Sequence, residues 1–293
     1  MLGSGDGGFV EMVGAFDDIG TFDLLEDKVG HDIKVGGLED EEMFDGRIRD
    51  ARFWSTARST DQIRDGMHVL ASDSTDLLAR YLLDEGSGEE AFDATGITGS
   101  AAINGASWMA CESEPDDDDD GDDDWDATAC HSLEFDGSDD YVHLGEADNL
   151  LGVTNAFTMS AWVRGGDGDV SGTILDAEYA ASGSPEKNAG YRFRAMGPPT
   201  KPAASFGTGD IPDNDFTSSV SWATSGWAHL VVPRDDTTMK FYVSGELIDT
   251  VDELREAIGV AVEGLARLAA VALGEHLRRW SVGRRPRRGP RNG

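Results

Sequence analysis

The chain has 293 residues, 39% of them hydrophobic, and a formal net charge of −33; it can bury one large core or two smaller ones, and it repels nucleic acid and anionic lipid. The charge is lopsided, because residues 251–293 carry nine arginines against five acids and leave the first 250 residues with 15 cations, 52 acids and a net charge of −37. A carboxylate-rich body with only five lysines is expected to belong to a salt-adapted or calcium-rich setting, since cations screen its self-repulsion.

No apolar run reaches the roughly 20 residues of a membrane span, and the opening MLGSGDGGFV lacks the basic-then-apolar order of a signal peptide. Two cysteines, Cys111 and Cys130, nevertheless suit an oxidising compartment. The chain therefore reads as an interior fragment of a secreted or cell-surface protein, with no membrane insertion.

Up to residue 250 the pattern is all-β: short alternating runs punctuated by Gly, Asp, Asn and Ser. The first clear run is GRIRDARFW (46–54), where Ile48 is out of phase with Ala51 and Phe53, which predicts a bulge. STARSTDQI follows, with Ser59 or Thr60 placed to cap a short helix. LLARYLLDE (77–85) is the next strand.

Cys111 and Cys130 then bracket eleven carboxylates and no cation. Asp116, Asp118, Asp120 and Gly121 fit the opening of a calcium loop, whose hard oxygens would suit Ca²⁺. The twelfth position is Ala127 instead of a bidentate Glu, and a run of adjacent aspartates matches such a pattern by chance, so a solvated spacer competes with the metal site.

In FTMSAWVR, Phe157, Met159, Ala161 and Val163 share one face, and Thr158, Ser160, Trp162 and Arg164 the other. YRFRAM (191–196) is a further strand. WAHLVVPRDDTTMKFYVSGEL reads as a hairpin with Met239, Phe241 and Val243 inward and Lys240, Tyr242 and Ser244 outward. From Asp252 the language changes: Leu254, Ile258, Val262, Leu265, Ala269, Leu273 and Leu277 predict an amphipathic helix of about 25 residues, followed by a basic end.

Taken together, LEFDGSDDYVHLG, AFTMSAWVR, GWAHLVVPRDDTTMKFYVSGEL and LLARYLLDEGSGEEAFDATGITGSAAINGASW resemble the laminin-G-like, concanavalin A-like modules of secreted bacterial multidomain proteins. KVGGLEDEEMFDGRIRDARFWSTARSTDQI is similar to the phrase that closes such a module. The resemblance implies an antiparallel jellyroll β-sandwich. It also implies an order of parts: residues 1–72 the end of a first module, 77–250 most of a second, and 251–293 an atypical tail, either a terminal helix or a frameshift product. One alternative is a single permuted sandwich in which residues 33–64 supply the second module's missing strand, with Ile48–Trp54 beside Met239–Val243.

On the family pattern, residues 111–130 are an insertion between two strands, and a Cys111–Cys130 bond would close it with about 3 kcal/mol of stabilisation. Modules of this type often bind calcium at the rim, for which Asp136, Asp139 and Asp140 are the candidates, or simply turn formers beside Gly137. Trp162 lies on the polar face of its strand, where it would stack a sugar ring flanked by Tyr191 and Tyr242, unless a loop covers it.

The same fold also serves glucanases, so catalysis needs its own residues. The nearest approach to a glucanase strand, Glu146-x-Asp148, has Leu151 where a third carboxylate belongs. The six histidines show no metal-binding spacing, and His229 reads as packing. The expected function is a non-catalytic module recognising a glycan or an extracellular protein, with calcium assisting, beside other modules of a longer chain; a glycosidase and a structural spacer are the rivals.

Overall fold

A computed structural model describes residues 33–37, 42–68, 74–110, 131–145, 156–166, 170–177, 179–180, 188–208, 214–236 and 238–252. All of these except Asp252 fall in one unit of the chain. The first strands are β1 (Ile33–Val35) and β2 (Asp45–Trp54); after helix α1 (Thr60–Asp65) come β3 (Leu77–Tyr81), β4 (Glu90–Phe92), β5 (Ser100–Asn104) and β6 (Ser107–Ala110). Next are β7 (His131–Asp136), β8 (Tyr141–Gly145), β9 (Ala156–Gly165), β10 (Gly172–Asp176), β11 (Tyr179–Ala180) and β12 (Asn188–Met196). The last are β13 (Lys201–Thr208), β14 (Asn214–Thr217), β15 (Ala228–Asp235), β16 (Thr238–Val243) and β17 (Glu246–Asp252).

Two antiparallel sheets result. One runs β14-β13-β12-β10-β1-β8-β5-β4 with β11 on β12, the other β17-β16-β15-β9-β2-β7-β6 with β3 on β2. Alternation directs one side of each strand into a single core: Ile33, Val35, Val142, Ile174 and Phe193 from the first sheet join Ile48, Phe53, Phe157, Met159, Leu230 and Phe241 from the second. Each such side chain, fully buried, stabilises the sandwich by about 1.5–3 kcal/mol. The chain is thus an all-β jellyroll sandwich, as its phrases imply.

The expected division near residue 72 does not separate two sandwiches among the described residues. β1 sits between β10 and β8, and β2 between β9 and β7, so the segment 33–54 fills interior places in both sheets. Gly46–Ile48 of β2 pair with Leu133–Phe135 of β7, and Ala51–Trp54 with Leu77–Tyr81 of β3. On its other side β2 pairs with β9, not with Met239–Val243 as the permuted arrangement was drawn. Hydrophobicity explains the insertion: Ile33, Val35, Phe44, Ile48, Ala51 and Phe53 are buried core residues and would have no partner in a fragment of their own.

The predicted bulge is present, with the β2–β9 register shifting between Arg49 and Arg52 and Asp50 in the left-handed region at φ 48°. The short helix is also where Ser59 places it: the Ser59 hydroxyl accepts from Gln62 N–H, and the Gln62 side chain accepts from Ser59 N–H, a complete capping box. The tail helix, the Cys111–Cys130 insertion with Asp116, Asp118 and Asp120, and the pair Glu146 and Asp148 all lie outside the described residues. Among those described, no helix is long and apolar enough to cross a membrane.

Candidate functional site

At one end of the second sheet, β2, β7 and β9 meet around a groove of about 550 Å³ whose charged walls are Asp45, Arg47, Glu134, Asp136, Asp140 and Arg164. Register builds it. Asp45 is directly opposite Asp136, and Arg47 lies between Glu134 on β7 and Arg164 on β9. Side chains opposite one another point to the same face of a sheet, so two guanidiniums and a carboxylate form a row on the outer surface. Arg47 Nε is 3.5 Å from Glu134 Oε1.

The lip is the turn after β7. Gly137 takes φ 75°, which an L side chain rarely adopts. Asp136 Oδ1 accepts from Ser138 N–H at 2.8 Å, and Asp140 Oδ2 accepts from Asp136 N–H at 2.8 Å. These bonds bring one oxygen each of Asp136, Asp139 and Asp140 within 4.8 Å of one another. Burial of Asp140, 8% exposed, and the neighbouring charges of Asp136 and Asp139 hold its carboxyl above the usual range, against the lowering effect of the Asp136 amide.

The trio suits calcium chemically: the donors are hard oxygens, Asp136 and Asp139 are exposed, and each still has a carboxylate oxygen outside the turn's own hydrogen bonds. A cation there would relieve the crowding of three negative groups.

The three aromatic candidates do not make an open platform. Trp162 is only 8% exposed, because the 55–68 segment lies over it: its indole N–H donates to Met67 O at 3.3 Å, and its ring is 5.3 Å from that of His68. Tyr242 is under the same cover, its hydroxyl 2.8 Å from Thr60 Oγ1. Tyr191 belongs to the other sheet, points into the core and stacks on Phe157 at 4.9 Å, where burial pushes its phenol far above the ordinary value.

What holds the cover is ionic as well as apolar. Asp50, turned outward by the bulge, accepts from Arg52 through Nε at 2.8 Å and through Nη2, and from Arg80 at 2.8 and 3.0 Å. Arg52 then donates to Gly66 O at 2.6 Å and to Met67 O at 3.1 Å. Burial is the largest single influence and raises the Asp50 pKa, but the hydrogen bonds and charges of Arg52 and Arg80 together outweigh it and draw the pKa down to about 2.

Sequence reasoning missed four walls of the groove: Asp45, Arg47, Glu134 and Arg164. Two of them come from the segment assigned to another module. A signal was nevertheless present, for the tripeptide Phe-Asp-Gly occurs at 44–46 and again at 135–137, and the two copies run side by side with Asp45 opposite Asp136.

A sandwich of two antiparallel sheets with a charged groove at one end is the architecture the described residues define. The comparisons make it specific: residues 136–262 match the family described as the concanavalin A-like lectin/glucanases superfamily. No curated protein and no solved structure matches the chain. That description names both lectins and glucanases, so the similarity supports the fold and leaves the chemistry to the residues.

Proposed function

We propose that the sandwich is a non-catalytic extracellular recognition module, which grips a glycan or a protein surface at the β2–β7–β9 groove with Ca²⁺ held by Asp136, Asp139 and Asp140. The observation that carries this reading is the juxtaposition of the 550 Å³ groove with the acidic trio at its lip. Calcium bound there would supply open coordination positions for hydroxyl or carboxylate oxygens, while Arg47 and Arg164 supply charge-assisted donors and Glu134 and Asp45 supply acceptors. Glycines at 46, 105, 165 and 166 keep the floor low enough for a ligand to approach the backbone.

Secretion and the closing of the acidic insertion by a Cys111–Cys130 bridge belong to the same proposal. In its support, Ala110 and His131, the residues flanking the two cysteines, are direct register partners at the end of the β6–β7 ladder.

Thermal melts in EDTA and in millimolar CaCl₂, at equal ionic strength, test the metal. A site with a Kd of about 10 μM at about 1 mM calcium adds roughly 2.7 kcal/mol, a rise of several degrees. Asp139→Asn should remove that rise without lowering the melting temperature in EDTA. Superimposable wild-type melts would remove calcium from the proposal.

A further inference from the structure

Among the described residues the strand orders of the two sheets end at β14 and β4 in the first and at β17 and β6 in the second. An open sheet edge is a template for a further strand, and charges, proline or a covering segment are what block it. Three of these ends are guarded. β14 carries Asp215, and β17 carries Glu246, Asp249 and Asp252, with Asp249 Oδ2 accepting from the Ser219 amide at 2.6 Å. β4 carries Glu90, and its Phe92 N–H donates to Glu85 Oε1 at 2.8 Å.

β6 is the exception. Ser107-Trp108-Met109-Ala110 contains no charge and no proline, and among the described strands its one partner is β7. The strand is held firmly, because Trp108 packs against the core and its indole N–H donates to Gly88 O at 2.9 Å. It also borders the groove, since Ser107 is part of the groove wall and is the register partner of Glu134. A row of outward side chains therefore crosses the sheet through Arg164 on β9, Arg47 on β2 and Glu134 on β7, and stops at Ser107 on the edge.

We propose that β6 is a docking edge for an extended peptide segment of another protein, added antiparallel to it, with a Lys or Arg opposite Ser107 and an apolar residue opposite Met109. Strand addition supplies main-chain hydrogen bonds, and the alternate side chains supply the choice of partner. The residue opposite Ser107 continues the row at about 9–10 Å from Glu134, two strand spacings away, with only the small Ser107 side chain between. A long cationic side chain spans that gap to a carboxylate that is 44% exposed, whereas an acid there would face Glu134 and the lip residues Asp136 and Asp140. Met109 lies on the same face, half-buried beside Ser132, and offers an apolar neighbour. The antiparallel direction then fixes the order along the peptide, the apolar residue standing two positions before the cation. A second copy of the chain fits less well: full antiparallel overlap of β6 with itself sets Ser107 opposite Ala110, brings no cation to Glu134 and joins two chains of net charge −33.

The full chain in EDTA, where calcium at the lip plays no part, should be titrated with the fluorescein-labelled peptide Ser-Thr-Ile-Val-Lys-Thr and with the same peptide carrying Glu in place of Lys, while hydrogen exchange of the β6 amides is followed. The expected results are saturable binding of the Lys peptide, at least about tenfold tighter than the Glu peptide, and slower exchange within Ser107–Ala110. Ser107→Lys, an exposed position where a cation beside Glu134 guards the edge, should abolish that binding, and Glu134→Gln should shrink the preference for Lys. Binding that leaves β6 exchange unaltered, equal binding of the two peptides, or no saturable binding by well-folded protein overturns the proposal. So does a concentration-dependent dimer that Ser107→Lys abolishes, which would give the edge to a second copy.

Discussion

Asp50 accepts from both Arg52 and Arg80 at a left-handed position in the middle of β2. Since the two guanidiniums are 1% and 8% exposed, neutralising the carboxylate leaves buried cations without their shared partner. Asp50→Asn is therefore expected to cost about 3–5 kcal/mol in urea unfolding, while leaving the two-state shape of the transition intact. His229 gives a pH test in the same cluster. Burial first, and then the Arg52 charge, hold its imidazole at about 3, well below 6.5. The unfolded chain thus takes up a proton near pH 6.5 and the native chain only near pH 3, so stability present above pH 6.5 drains between those values by about 1.4 kcal/mol per pH unit. In His229→Phe, urea midpoints from pH 7 to pH 4 should fall less steeply than in the wild type; parallel curves would show that His229 does not set the slope. The alternation of β9 was legible at this scale and correctly put Trp162 on the outward face. That a loop covers it was the stated alternative to the sugar platform; which residues do so, Met67 and His68, was not legible, because they come from a distant part of the chain.

At the scale of elements, local chemistry was readable and long-range placement was not. Ser59 declared the start of α1, and the two-residue turn at Ser244-Gly245, both with positive φ (47° and 78°), fixed the β16–β17 hairpin. The bulge in β2 followed from one residue out of phase. β1 is another matter, since three residues, Ile33–Val35, are too short for a period to show, and only the first sheet's gap between β8 and β10 gives them a place. The β6–β7 hairpin supplies the prediction that belongs here. With Ala110 opposite His131 at its end, the denatured, unreduced chain should show no reactive thiol, and reduction should lower stability by about 3 kcal/mol. Two titratable thiols in protein purified under oxidising conditions would argue against the bridge.

For the molecule as a whole, phrases distributed over residues 33–250 were enough to specify the jellyroll, because strand pattern and turn residues agree throughout. Domain division was not legible in the same way. A closing phrase placed before an opening phrase reads as two incomplete modules, and only the pairing of β2 with β9 and β7 shows one sandwich built from both. That pairing also creates the groove, with Asp45 and Arg47 from one stretch facing Asp136, Glu134 and Arg164 from others. With a net charge of −33, any binding assay must hold ionic strength constant, since screening alone changes affinity for charged ligands.

The recognition role of that groove is tested most directly by presenting the full chain, in calcium at fixed ionic strength, to a broad array of neutral and acidic glycans beside the Arg47→Ala and Asp136→Asn variants. The expected result is calcium-dependent retention of one glycan class, weakened at least about tenfold in both variants, equivalent to about 1.4 kcal/mol, with their melting temperatures in EDTA close to wild type. Retention that both variants keep, cleavage of the arrayed sugars, or no retention at all by a well-folded sample would contradict a glycan-binding role for the groove.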